Sequence, residues 1–460
     1  MPDIQLPKNP KIVLINPPDH YKMGAPKESL EGLFSFFPLG LGMIFAVLEK
    51  EGYNVVREDL SLANSKKEIY EAIKKQKPDV VGTTCSSWTR FGSFLVMKTV
   101  KEVDPGIVTI IGGPHATVLP EHCINHFSCD YVVRGEGEQT IVELMDSLQR
   151  GTDLSNVMGI AYNERDHVKL TDTRPFIQDL DSLSVPKYKR NGIETSRGCP
   201  YHCNFCSSTD YWGGKWRFRS PEKVVDELEM LNKNYGIKHF YFVDDNFTVM
   251  DERVLRICRE ISERKMDISW EASTRVNTVK RHVLTEMKKA GCNKLTFGVE
   301  SGSSRLLKAM GKEATPTQIR TAFKITREVG INSLANLIVG YPGEDAFSIQ
   351  ETINVLDKAN PDHISIAIFR IPPHTPVEKM AKDKGFITDE FWLSDKAPPK
   401  YTAEWSYFDL YKFSLSIQTH FWRKKGLVPL TKFVMHAISD GVKLPIRRLR
   451  EKYLMDLYND

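Results

Sequence analysis

The chain has 460 residues, 41% hydrophobic and 27% charged, a make-up that excludes wholesale disorder; at roughly 150 residues per domain it predicts about three domains. Its 63 basic and 59 acidic residues leave a net +4, too balanced to point to nucleic acid. No apolar run approaches the ~18 residues of a membrane span, the first residues lack a signal-peptide core, and eight cysteines are too few for a disulfide scaffold, so the expectation is a reduced, cytoplasmic protein.

Residues 1–150 alternate apolar runs with helical patterns. Lys11–Asn16 reads as a buried strand, Leu39–Gly52 as a helix closed by glycine, Asn54–Glu58 as a second strand and Ser65–Lys75 as a polar helix. Asp79–Thr84, Ile107–Gly113 and Tyr131–Val133 are the next three strands. Parallel strands need crossover helices, so this order predicts a doubly wound α/β Rossmann-like sheet with ligands at its strand carboxyl ends. Residues 151–190 read as a hairpin (Gly159–Tyr162 against His167–Leu170) and a proline-bearing linker. From 191 to 385 a second series runs, with strands near Ile193–Ser196, His239–Val243, Ile268–Ser273, Lys294–Val299, Ser333–Val339 and His363–Phe369. Six βα units without an order reversal predict a partial (β/α)6 barrel. Residues 386–460 are rich in aromatics beside Arg423-Lys424-Lys425 and Arg447-Arg448, which predicts a helical C-terminal region. Its aromatics read as packing core, with a hydrophobic-substrate cap or a peripheral membrane contact as the alternatives.

The chemistry is concentrated at the end of the first strand of the second series, in Thr195-Ser196-Arg197-Gly198-Cys199-Pro200-Tyr201-His202-Cys203-Asn204-Phe205-Cys206. Thiolates bind soft iron, and spacings of four and three residues let one short loop wrap one cluster. Three cysteines leave one iron of a four-iron cube without a protein ligand, and an open position is what a metal needs to bind a reactant. A structural zinc with His202 as fourth ligand is the alternative; zinc sites usually come as two spaced pairs, and no second pair is present.

Cys-x3-Cys-x2-Cys with Phe205 before the last cysteine, on the first loop of a βα series, resembles the radical S-adenosylmethionine (SAM) superfamily. The resemblance implies a [4Fe-4S] cluster on Cys199, Cys203 and Cys206. SAM would chelate the open iron and be cleaved reductively to a 5′-deoxyadenosyl radical, with a reducing partner such as flavodoxin or ferredoxin. It further implies that Asp244 and Asp245, where many members carry Gly-Gly-Glu, meet the methionine amino group. Arg275, Glu300 and Ser301 would lie near the SAM carboxylate and ribose, and Gly340 and Tyr341 near adenine. Carboxylates for an ammonium and a guanidinium for a carboxylate suit a zwitterionic ligand. Taken singly, Asp244 reads equally as a helix cap, Arg275 as a surface ion pair and Gly340–Gly343 as a turn.

Ile15-Asn16-Pro17-Pro18, Pro38–Gly42, Gly112-Gly113-Pro114-His115 and Arg134-Gly135-Glu136-Gly137-Glu138 resemble the loops of the cobalamin-binding domain fused to many radical SAM enzymes. That implies a corrin held by Gly112, Gly113, Glu136 and Gly137, with Thr84 and Ser86 bonding its nucleotide tail. The Asp-x-His-x-x-Gly signature is missing, since Asp19–Gly24 has the wrong spacing. Neither His20 nor His115 is therefore assigned as axial ligand, and a His-off mode is implied; a vestigial domain that buttresses the barrel is the alternative. Cys258 and Cys292 read as core, Cys85 lies at the ligand face, and Cys123 and Cys129 lack metal spacing, so no second cluster is expected. The whole resembles the group of B12-dependent radical SAM methyltransferases and the anaerobic magnesium-protoporphyrin monomethyl ester cyclase. It implies methylation of an unactivated carbon on a small-molecule, lipid or tetrapyrrole substrate. The alternatives are radical cyclisation, oxidation or chain tailoring without methyl transfer, and a non-catalytic protein with a structural cluster.

Overall fold

The computed structural model describes residues 5–18, 37–87, 89–165, 167–393, 400–401 and 403–426; Asp19–Gly24 and Arg447-Arg448 lie outside them. The first sheet holds β1 (Lys11–Asn16), β2 (Asn54–Asp59), β3 (Val80–Thr84), β4 (Val108–Gly112), β5 (Tyr131–Val133), β6 (Ile160–Glu164) and β7 (His167–Leu170), in the order β2-β1-β3-β4-β5-β6-β7. Strands β1 to β5 are parallel, and the β6–β7 hairpin extends the sheet antiparallel. The chain leaves β1 to one side for β2 and to the other for β3, the reversal that opens a crevice at the carboxyl ends of a doubly wound sheet. Strands β3 and β4 are buried at four of their five residues, because both faces are covered. Ile12, Leu14, Val80 and Ile110 pack with Leu41 and Leu48 of helix Leu39–Lys50 and with Ile141, Leu144 and Leu148 of helix Gly137–Arg150. Each such burial contributes on the order of 1.5–3 kcal/mol.

The second series supplies β8 (Gly192–Ile193), β9 (Ser196–Arg197), β10 (Arg217–Phe218), β11 (His239–Phe242), β12 (Ser269–Arg275), β13 (Cys292–Glu300), β14 (Asn332–Val339) and β15 (His363–Ile368). Six of these form a sheet in the order β15-β14-β13-β12-β11-β8, without the reversal seen in the first sheet. Helices Pro221–Tyr235, Asp251–Glu263, Arg281–Lys289, Pro316–Val329 and Ala346–Ala359 alternate with its strands. Side chains alternate too: Phe240, Phe242 and Trp270 are buried on one face, while Tyr241 and Val243 stand exposed on the other.

One predicted strand differs. Ile193–Ser196 is split into β8 and β9, and β9 pairs antiparallel with β10 in a separate ribbon. The cause is local: the backbone N–H groups of Thr195 and Ser196 donate to the Asp244 carboxylate, so they are withdrawn from a sheet ladder.

The chain divides into two compact units. One comprises residues 1–274, 282–294 and 370–399, the other 275–281, 295–369 and 400–460. In the first unit, segment 370–393 carries helix Pro376–Asp383 and the short 3-10 turn Asp389–Leu393, which packs on helix Pro120–His126. Trp392 is buried there, its indole N–H bonded to Glu378, with the Arg90 guanidinium 5.5 Å from its ring. In the second unit, helix Tyr407–Lys425 buries Leu410, Ile417 and Phe421, and Lys424 and Lys425 bond Asp357 and Asn360. The expected C-terminal helix thus packs through its apolar side. No helix among the described residues is long and apolar enough to cross a membrane.

Candidate functional site

The cysteine loop begins where β9 ends. Gly198 sits at φ 84°, and a Cβ there would stand 2.0 Å from the Lys215 carbonyl oxygen, so only glycine admits the turn into Cys199. The Cys206 N–H donates to the Cys203 carbonyl at 3.1 Å, and the Thr209 hydroxyl reaches the Tyr201 carbonyl at 3.1 Å, which ties the loop to helix Ser208–Trp212. None of Cys199, Cys203 and Cys206 is in a disulfide; Cys203 is buried, the other two half-buried. Burial pushes the Cys206 thiol up to about 11, with Asp245, Cys203 and Cys199 adding to the rise. Phe205 is half-buried and His202 is exposed.

Asp244 and Asp245 are adjacent but do different things. Asp244 is buried, and its carboxylate accepts Thr195 N–H (2.7 Å), Ser196 N–H (3.0 Å) and the Thr195 hydroxyl. Instead of facing a ligand ammonium, it fixes the strand that delivers the cysteines. Arg253 closes the same corner, donating to the Thr195 carbonyl at 2.6 Å. Among the described residues Asp245 accepts the Ser208 hydroxyl (2.6 Å), and burial raises its carboxyl above the usual range, with the Asp244 charge adding to the rise. It is the carboxylate beside the cysteine loop whose remaining oxygen suits an ammonium.

In the second unit the expected residues stand at successive strand ends. Arg275 closes β12 and donates to Asn277 Oδ1 (3.2 Å) and to the Lys312 carbonyl. Glu300 closes β13 in the left-handed region (φ 62°) and accepts the Lys312 ammonium at 2.7 Å. Ser301 is buried and faces inward, its hydroxyl accepting the Ser303 N–H at 3.1 Å. The Gly340 N–H after β14 donates to Glu344, whose buried carboxyl is pushed up to about 7. Tyr341 is a core residue: its ring is buried beside Phe369 and its hydroxyl donates to the Ala309 carbonyl at 2.9 Å. Ser301 and Tyr341 therefore hold their loops from within.

A cavity of ≈ 320 Å³ opens at the carboxyl ends of β3, β4 and β5, within the size range of ligand pockets. Leu14, Leu41, Ile44, Ile110, Val133 and Ile141 give it an apolar floor, and Thr84, Gly112, Gly113, Glu136 and Gly137 line it as well. Gly113 (φ 96°) is required there, since a Cβ would stand 2.5 Å from Thr84 Oγ1. An apolar slot with a polar mouth fits an aromatic base on a sugar-phosphate tail, the form of the corrin's nucleotide loop. Ser86 is not on this wall; its hydroxyl accepts the Thr89 N–H at 3.1 Å and closes a turn. His115 is buried with its ring nitrogens bonded to Ser87 (3.1 Å) and His122 (2.9 Å), and it is not among the residues that line the cavity. His20 lies outside the described residues.

Glu194, Arg197, Glu138, Tyr211 and Trp212 also line the cavity, residues to which the motifs alone assign no ligand role. Arg197 and Tyr211 flank the cysteine motif, and Glu138 ends the Arg134–Glu138 run. The signal was therefore proximity to two motifs, read separately. Arg197 is buried and donates to Glu136 (2.6 Å), Glu138 (2.6 Å) and Glu194 (2.8 Å), while Arg217 donates to Glu136 at 2.8 Å.

The sequence matches the radical SAM superfamily over residues 193–356 and the B12 binding domain over residues 32–145. An uncharacterized methyltransferase of Pyrococcus horikoshii is 36% identical over 77% of this chain and 80% of its own length. The anaerobic magnesium-protoporphyrin IX monomethyl ester cyclase of Rubrivivax gelatinosus is 31% identical over 76% of this chain and 67% of its own length. Among solved structures, the radical S-adenosylmethionine methyltransferase TsrM from Kitasatospora setae, with cobalamin and a [4Fe-4S] cluster bound, aligns at TM-score 0.69 and 19% identity, over 82% of this chain and 75% of that one.

Proposed function

Because the chain belongs to the radical SAM superfamily, in the group that also carries a B12-binding domain, we propose that it methylates an unactivated carbon of a small organic, lipid or tetrapyrrole substrate. When bound, the [4Fe-4S] cluster with SAM supplies a hydrogen-abstracting radical, and cobalamin supplies the methyl group. Cys199, Cys203 and Cys206 hold the cluster, and Asp245 takes the SAM ammonium. Asp244, Arg253 and Gly198 shape the loop that presents the thiols. Arg275 and Glu300 serve the SAM carboxylate and ribose from the ends of β12 and β13, and the Gly340 turn serves adenine. The cavity over β3–β5 would hold the nucleotide tail of cobalamin, with Thr84, Gly112, Gly113, Glu136 and Gly137 around it, and His115, bonded to Ser87 and His122, would stay part of the fold. Electrons come from a small reducing protein of the flavodoxin or ferredoxin kind.

The observation that carries this reading is that Arg197 and Tyr211, which bracket the three cysteines, also form the wall of the cavity, so both cofactors are served by one stretch of chain. Placement of reactive groups, not acid–base chemistry, is the protein's contribution to such reactions. The test is anaerobic reconstitution with iron, sulfide and hydroxocobalamin. Near one equivalent of corrin and a product heavier by one CH2 are expected; a corrin-free protein that still cleaves SAM overturns the methylation reading. The cyclase among the relatives supports a second outcome, ring formation or oxidation, for which the product would lose hydrogen or gain oxygen instead.

A further inference from the structure

The Glu136–Glu138–Arg197 cluster is costly to build. Arg197, Glu136 and Glu138 have side chains only 4%, 3% and 8% exposed, and they sit with Glu194 and Arg217 in one network. Three carboxylates meet two guanidiniums, and burial pushes the Glu194 carboxyl upward against the pull of Arg197. Desolvation largely cancels the attraction of buried pairs, so stability alone is a poor reason for such a network. What a forked guanidinium does supply is geometry, because two of its nitrogens fix angle as well as distance.

The geometry is specific. The loop after β5 gives the cavity its rim at Gly135–Glu138, and it is held on both flanks of the cysteine segment. Arg197, two residues before Cys199, grips Glu136 and Glu138 at 2.6 Å each. Tyr211, five residues after Cys206, donates to the Gly135 carbonyl at 3.4 Å. Glu136 is further pinned by the Ile177 N–H at 2.6 Å. A molecule entering the cavity touches the same side chains that set the two ends of the cysteine loop.

We propose that Arg197, with Glu136 and Glu138, is a positioning residue that couples the two cofactor sites: filling the cysteine loop tightens corrin binding, and filling the cavity tightens the cluster by the same factor. This rests on the two-cofactor reading above. Reciprocity follows from thermodynamic linkage, and couplings of this kind are commonly on the order of tenfold.

The test titrates hydroxocobalamin into the full-length protein, by absorbance, in its cluster-loaded form and after anaerobic removal of the iron by chelation. The ratio of the two dissociation constants is the readout. About tenfold tighter binding to the loaded form is expected, with the ratio falling toward unity in Glu138→Gln and Arg197→Lys. Glu138→Gln nearly preserves shape and serves if Arg197→Lys does not fold. A merely structural role would weaken both forms equally and leave the ratio unchanged, which overturns the proposal, as does a wild-type ratio of one. Absence of corrin binding in either form instead sinks the two-cofactor reading, and this proposal with it.

Discussion

Asp244 and Asp245 show how neighbouring residues of one type divide their work. The first is consumed by backbone donors of the strand it supports, and the second accepts the Ser208 hydroxyl beside the cysteine loop. The sequence makes the pair visible but not the division, which depends on a strand 49 residues away in the chain. Cys203→Ser is expected to abolish iron loading and SAM cleavage, read as loss of the cluster's visible absorbance. Glu344 has a carboxyl held at about 7 against an ordinary 4.5, so between those values the folded state keeps a proton that the unfolded state has released. Its contribution therefore declines as pH rises from 4.5 to 7, by about 3 kcal/mol at the upper end. Glu344→Gln should match wild type near pH 4.5 and be more stable above pH 7 in denaturant titrations. His122 acts in the opposite sense, because burial lowers it from 6.5 to about 3. The unfolded state binds its proton first as pH falls below 6.5, costing about 2 kcal/mol by pH 5. A His122→Gln variant should show a weaker loss of stability across that interval.

At the scale of elements, apolar periodicity carried most of the information. All the strands expected in the first sheet and the later strands of the second occur within a few residues of their expected places: β1 and β4 are buried on both faces and carry Val and Ile runs, whereas β12, β14 and β15 alternate residue by residue. The exception was Ile193–Ser196, where a side-chain acceptor competes with the ladder, an interaction no local pattern reveals. Ser86 and Tyr341 follow strand ends that the sequence makes visible, but side-chain direction is invisible in one dimension: each side chain bonds its own loop or core. Asp244→Asn keeps the volume yet turns one acceptor oxygen into a donor facing N–H groups. It should cost about 1–3 kcal/mol and reduce the iron retained after reconstitution, measured by iron content alongside the melting transition.

For the molecule as a whole, composition excluded classes of protein, and motifs supplied the chemistry. What lay beyond both was the joining of Arg134–Glu138 to the cysteine segment, since ion pairs across 59 and 61 residues leave no trace in spacing. If the cavity takes cobalamin, ligand at a hundred times its dissociation constant should raise unfolding free energy by about 2.7 kcal/mol. A thermal shift that scales with added hydroxocobalamin checks this.

The return of segment 370–393 to the first compact unit bears on biogenesis. During synthesis the helix carrying Arg90 leaves the ribosome long before Trp392, the ring that lies over its guanidinium. The N-terminal fold must therefore wait, partly uncovered, until most of the polypeptide has emerged. Nascent chains halted before residue 370 should accordingly be nicked by protease around helix Pro120–His126, where those released after residue 393 resist.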